Sequence, residues 1–204
     1  MKKRSLNFRD YFLKDVNPVI RFLIISDTVI MGAAGLLGPI FAIFVEDYIV
    51  GGNEAVAGIA AAIYLFTKSL MQIPVAHMID RIKGEWDDYW LMFIFSILIA
   101  LIPLAYLFIN TPWQLYIVQF FLGLFTAFTF PTYMALFTRH IDKKKEGTEW
   151  GVYFTLVDLT SAAFAAVGGY IAATEGFAIL IWTVVIISFF GSLLLWPIKP
   201  YIKK

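Results

Sequence analysis

Four ionisable side chains, Arg21, Asp27, Lys68 and Asp158, interrupt stretches of sequence that are otherwise apolar. In such surroundings a charge costs at least about 2.5 to 3.5 kcal/mol, so each must face protein or water and find a partner. Arg21 lies near the end of its stretch and can snorkel to lipid headgroups. The other three sit deep. Nine residues separate Pro18 from Asp27, about 13 Å of helix, which reaches roughly the middle of a hydrocarbon layer. Asp27 is the candidate for a carboxyl that takes up and releases a proton, or binds a cation. A structural ion pair is the alternative, and Lys68 and Asp158 carry the same two readings. Gln119, Thr126 and Tyr133 recur every seven residues and so share one helical face. That face either lines a wet cavity or forms a hydrogen-bonded seam between helices.

Enzyme chemistry has little to stand on. No Gly-x-Ser-x-Gly elbow, His-Glu-x-x-His helix or Walker loop is present, and zero cysteines exclude thiolate metal sites, disulfides and thiol nucleophiles. His77 and His140 lie near stretch ends and read as interfacial residues, so neither a metal nor a cofactor is expected.

These residues are positioned by a chain that cannot make a water-facing surface. Of 204 residues, 60% are apolar and only 15% charged, against about 25% in soluble domains, and the mean hydropathy is +0.78. Six stretches reach the roughly 20 residues needed to cross a bilayer: Val19 to Val45, Ala55 to Ile79, Tyr89 to Ile109, Trp113 to Phe137, Trp150 to Ala173 and Phe177 to Trp196. Without water, backbone amides must bond within their own segment, so the spans are helices and the fold class is an all-α integral membrane protein with six transmembrane helices. The spacing predicts one domain over 18–197, preceded by a segment 1–17 and followed by a basic tail 198–204. The first apolar run starts too late and runs too long for a secretory signal, so it reads as a retained span.

Charge placement predicts orientation. One side carries Lys2, Lys3, Arg4, Arg9, Lys14, Arg81, Lys83, Arg139, Lys143, Lys144, Lys145, Lys199, Lys203 and Lys204, which is 14 of the 16 basic residues. The opposite loops carry Glu46, Asp47, Glu54 and Glu175, so both termini are expected in the cytoplasm. A net charge of +1 leaves no bulk field to recruit nucleic acid.

The third and sixth spans are nearly all large and apolar and can face lipid all round. The second and fifth are rich in small residues, with Ala57, Gly58 and Ala60 to Ala62 in one and Ser161 to Ala163, Ala165, Ala166, Gly168 and Gly169 in the other. Small residues let helix backbones approach closely, so these are expected packing surfaces. The first and fourth carry polarity and prolines. A shift of 92 positions brings Asp27 onto Gln119 and Pro39 onto Pro131, which suggests two inverted three-helix repeats, 18–109 and 110–197.

The loop after the second span, His77-Met78-Ile79-Asp80-Arg81-Ile82-Lys83-Gly84, resembles the Gly-x-Leu-Ala-Asp-Arg-x-Gly-Arg motif of the major facilitator superfamily, with Ala76 in place of the leading Gly. Gln119 through Gly123 resembles the family's Arg-x-x-x-Gly pattern with Gln for Arg, and Pro131 through Gly151 its fourth-to-fifth-helix connection. Phe164 to Gly169 keeps only the closing glycine pair of the antiporter motif, which weighs against drug antiport. The resemblance covers the whole chain as one six-helix half of a twelve-helix transporter, and implies a homodimer in the inner (plasma) membrane. Helices one and four then line a shared central cavity, two and five form the dimer seam, and three and six are peripheral. Asp80 and Arg81 act as a cytoplasmic gate, and Lys68 pairs with Asp158 across the seam.

The expected function is secondary active transport of a small polar solute by alternating access, with Asp27, Gln119, Thr126 and Tyr133 binding substrate. Asp27 couples the step to a proton or another cation, as in symport. The alternative is a substrate-binding membrane subunit that needs a separate energising or partner protein.

Overall fold

Each apolar stretch closes its backbone hydrogen bonds on itself. The computed structural model describes residues 13, 16–82 and 84–203, and its six long apolar helical spans are Pro18–Tyr48, Glu54–Arg81, Trp86–Leu107, Pro112–His140, Glu146–Thr174 and Phe177–Tyr201. Among the described residues there is no strand. Lys2, Lys3, Arg4, Arg9 and Lys14 of the N-terminal segment, together with Lys83 and Lys204, lie outside the described residues. Helix starts follow local chemistry. Asn17 accepts from the Val19 amide at 2.9 Å, Asn53 from the Val56 amide at 3.0 Å, and Gln114 Oε1 from the Asn110 and Thr111 amides.

The two prolines aligned by the 92-residue shift behave differently. At Gly38-Pro39 the first span changes from α-helix (Pro18–Leu37) to a 3-10 turn (Gly38–Ile40) and back to α-helix (Phe41–Tyr48). Glycine's weak propensity and proline's missing amide fall together there. Pro131 instead stays inside an unbroken α-helix, Pro112–His140. The hydroxyls of Thr129 and Thr132 on either side of it bond carbonyls of the preceding turn.

The first span packs on the fifth and sixth, the fourth on the second and third, and the third on the sixth. Exchanging first with fourth, second with fifth and third with sixth leaves this pattern unchanged. Both main crossings rely on missing side chains. A Cβ on Gly168 would lie 2.0 Å from the Leu36 carbonyl oxygen, and one on Gly35 would lie 2.9 Å from that of Ser161. At the matching crossing, a Cβ on Gly123 would lie 2.5 Å from the Tyr64 oxygen. By contrast, Gly58 and Gly169 face open space.

The third and sixth spans do not face lipid all round. The sixth is the most buried, with 44% of its apolar window covered, while the fifth has 6%. Ser188, Gly191 and Ser192 give the sixth a small-residue face that mean hydropathy hides. Gly191 abuts Val29 and Ile30, and its carbonyl accepts from Ser26 Oγ at 2.8 Å. Met92, Phe93, Ser96 and Ala100 form the matching buried face of the third. The second and fifth spans keep one face uncovered in this chain, including Leu65, Phe66, Leu159 and Tyr170.

At the basic end of the bundle, the third span is tied to the fourth and to the C-terminal segment. Arg139 pairs with the buried Asp88, His140 lies 3.7 Å from Glu85, and Glu85 exchanges two hydrogen bonds with the backbone of Lys203. Lys199 sits over the rings of Trp196, Trp90 and Trp86, with its ammonium 4.7, 5.3 and 5.8 Å from their centroids.

Two contrasts are expected in thermal unfolding of the detergent-purified protein. Gly168→Ala should lower stability by about 1–3 kcal/mol through forced helix separation, while Gly169→Ala should be neutral or stabilising by up to about 1 kcal/mol. Arg139→Gln strands a buried carboxylate and should cost about 3 kcal/mol, much of it recovered by adding Asp88→Asn.

Candidate functional site

The lipid-length helices line a half-open cavity of about 560 Å³ whose wall draws on all six spans. Asp27, Gln119, Thr126 and Tyr133 all line it, so the seven-residue repeat on the fourth span does face a shared space. The lining has an internal regularity. First-span residues Asp27, Ile30, Ala34, Leu37, Gly38 and Phe41 line the cavity, and a shift of 92 carries them onto Gln119, Leu122, Thr126, Thr129, Phe130 and Tyr133, which line it too. The pairs Ala61 and Tyr153, Ser96 and Ser188, and Pro103 and Leu195 obey the same shift.

Asp27 is held by a hydrogen bond rather than an ion pair. Its Oδ2 accepts from the Tyr153 hydroxyl at 2.6 Å, and among the described residues no cation lies within ion-pair distance. Tyr153 is fixed in turn by aromatic packing. Its ring centroid is 5.8 Å from that of Tyr133 and 5.9 Å from that of Phe137, and Phe137 stacks on Trp150 at 4.1 Å. One hydrogen bond satisfies part of a carboxylate's acceptor capacity, which leaves lone pairs for a proton, a cation or a solute hydroxyl.

Gln119 shows that a residue can be both cavity wall and seam. It is buried, and its Nε2 donates to the Tyr106 hydroxyl at 3.0 Å, tying the fourth span to the third. Thr126 and Thr129 donate their hydroxyl protons to their own helix, Thr126 to the Leu122 carbonyl at 2.7 Å. Toward the cavity they therefore present acceptors.

Lys68 also lines this cavity. Its ammonium lies 4.8 Å from the Phe130 ring centroid, and no carboxylate of the described residues is within ion-pair distance. A cation–π contact supplies about 0.5 to 2 kcal/mol, less than the cost of a mid-membrane charge. Asp158 is exposed on the fifth span and is not part of the cavity wall. Asp80 and Arg81 end the second helix, both exposed and without an ion pair among the described residues. The ion pairs at that end belong instead to Asp88, Glu85, Arg139 and His140, and to Asp142 with Lys145.

Sequence reasoning missed Tyr153, Tyr106 and the third-span wall. The 92-residue shift pairs Tyr153 with Ala61 and Ser96 with Ser188, but the sequence marks neither Ala61 nor Ser188 as cavity wall, so the shift alone gave no signal. Nothing in the sequence marks Tyr106, which reaches the site through the 3-10 segment Ile102–Leu107.

A family model described as Major Facilitator Superfamily matches residues 23–204. The chain is 26% identical to the multidrug resistance protein MdtG of Serratia proteamaculans over 206 residues, covering 96% of this chain and 47% of that protein. It is 27% identical over 192 residues to MdtG of Escherichia fergusonii, covering 92% of this chain and 46% of that one. The chain thus spans about half the length of the curated relatives it matches. Among solved structures, the POT family transporter PepTSo superposes with a TM-score of 0.67 at 14% identity, over 91% of this chain and 38% of its own, which is a likeness of fold. With the family match running over nearly all of its length, the chain is a multi-pass membrane protein that belongs to the Major Facilitator Superfamily.

Proposed function

We propose that the protein moves a small polar solute across the membrane by alternating access, with the cavity as the solute site and Asp27 as the coupling residue. The observation that carries this reading is the mid-span carboxylate that opens on a cavity and lacks a compensating cation among the described residues. Such a group can exchange a proton or cation with a solute at little structural cost, whereas a structural ion pair is already spent. The family match and the relatives named for multidrug resistance support transport as the class of activity.

A six-helix unit leaves the cavity with an unfinished wall. A second copy of the chain, related by an axis along the membrane normal, supplies the missing side in this reading, through the uncovered faces of the second and fifth spans. Both termini then lie on the cytoplasmic side of the inner membrane, where the basic end of the bundle meets the positive-inside rule. The two subunits rock about the site, and Asp80 and Arg81 lock the cytoplasmic face. Solute binding differs only modestly between the two facing states, since tight preference for one would trap it.

The test is uptake into liposomes that hold only the purified chain. Asp27→Asn should abolish accumulation driven by a pH gradient and leave solute exchange intact; gradient-driven uptake unchanged by the substitution refutes the coupling role. No flux from the purified chain, recovered when a separate membrane subunit is added, supports the binding-subunit alternative. Native mass measurement of the detergent-extracted protein should give twice the 23.2 kDa chain mass, and a monomer that still transports overturns the dimer.

A further inference from the structure

Lys68 has no carboxylate partner among the described residues, and its position explains why it needs one. Its backbone is pinned at the crossing of the second and fourth spans, where a Cβ on Gly123 would lie only 3.3 Å from the Lys68 amide nitrogen. From that fixed base the side chain runs along the cavity wall to the ring of Phe130. The cation is therefore held by geometry within the site and is not a headgroup anchor. Its counterpart at a shift of 92 is Thr160, which lies against Gly32 and does not line the cavity. The repeat symmetry of the wall is broken by an ammonium at this place.

Asp27 does not answer it, since its recorded partner is Tyr153. The cavity thus presents one carboxylate and one ammonium, each with unused capacity, within a lining that includes the apolar and aromatic side chains of Phe41, Met92 and Phe130. A solute that satisfies both carries an anion at one end.

We infer that Lys68 is an anion-binding residue of the cavity, and that the solute is an amphipathic carboxylate whose apolar body packs on Phe130 while its donor groups turn toward Asp27. The inference rests on the transport reading and narrows its solute class. The carboxylate replaces the water lost by the ammonium, and the charge-assisted hydrogen bond is strong because the surroundings are apolar. Arginine in this place makes the same bond, and glutamine does not.

Three indole compounds of like size separate charge from shape: indole-3-propionate, tryptophan and tryptamine. Calorimetric titration of the purified full chain should show the two carboxylates binding. Lys68→Gln should weaken indole-3-propionate about tenfold or more and leave tryptamine within about twofold, the loss of one charged hydrogen bond. Lys68→Arg should retain carboxylate binding, which also decides the matter if Lys68→Gln does not fold. Asp158→Asn and Lys199→Gln should bind as the wild type does.

Four results overturn the inference: no binding of either carboxylate to the wild type, unchanged indole-3-propionate binding by Lys68→Gln, lost binding in Lys68→Arg, or the same loss in Asp158→Asn. The last points to an ion pair between copies across the seam. Tryptamine flux retained in liposomes when the carboxylates fail to bind leaves the transport reading standing and removes only this one. Loss of all solute flux removes the reading beneath it.

Discussion

A carboxylate in the middle of a hydrocarbon layer must be given polar company by the protein itself, and the arrangement of this bundle follows from that demand on Asp27. The hydroxyl of Tyr153 provides one bond, and Tyr153 stays in place because Tyr133, Phe137 and Trp150 hold its ring. That aromatic stack in turn needs the first, fourth and fifth spans close together. Closeness comes from Gly35 and Gly168 at the crossing of the first and fifth, where an added Cβ would press on the facing backbone. The small residues, the ring stack and the acid are links of one chain of requirements.

The same logic recurs in the other half with different chemistry. Gln119 occupies the place that the 92-residue shift assigns to Asp27, and it also holds a tyrosine hydroxyl, that of Tyr106. A neutral amide needs no counter-ion, whereas the carboxylate of Asp27 keeps lone pairs that its single hydrogen bond does not fill. A packing pattern and a lining that both repeat at a shift of 92 residues thus give a cavity whose frame is symmetric and whose electrostatics are not.

The spans, their number and the family were legible because hydropathy and helix length act locally and leave long runs. The boundaries differ by a few residues at most, as where Trp86 begins a helix placed at Tyr89 by apolarity alone. Faces were harder to read. The sixth span is apolar at nearly every position, and only the packing of Ser188, Gly191 and Ser192 against the first span distinguishes inside from outside. Contacts between distant segments left no local trace: Asp88 with Arg139, Asp27 with Tyr153 and Lys68 over Phe130 depend on how helices cross. Spacing along one helix did carry information, since Gln119, Thr126 and Tyr133 reached one wall together.

None of the six tryptophans belongs to the cavity wall, and three of them, Trp86, Trp90 and Trp196, surround Lys199 at one corner of the bundle. Indole emission from this protein is consequently weighted toward the bilayer boundary, where it registers the seating of the C-terminal segment against the third span. Trp150, stacked on Phe137 and 5.7 Å from the ring of Tyr153, is the indole placed to register occupancy of the interior.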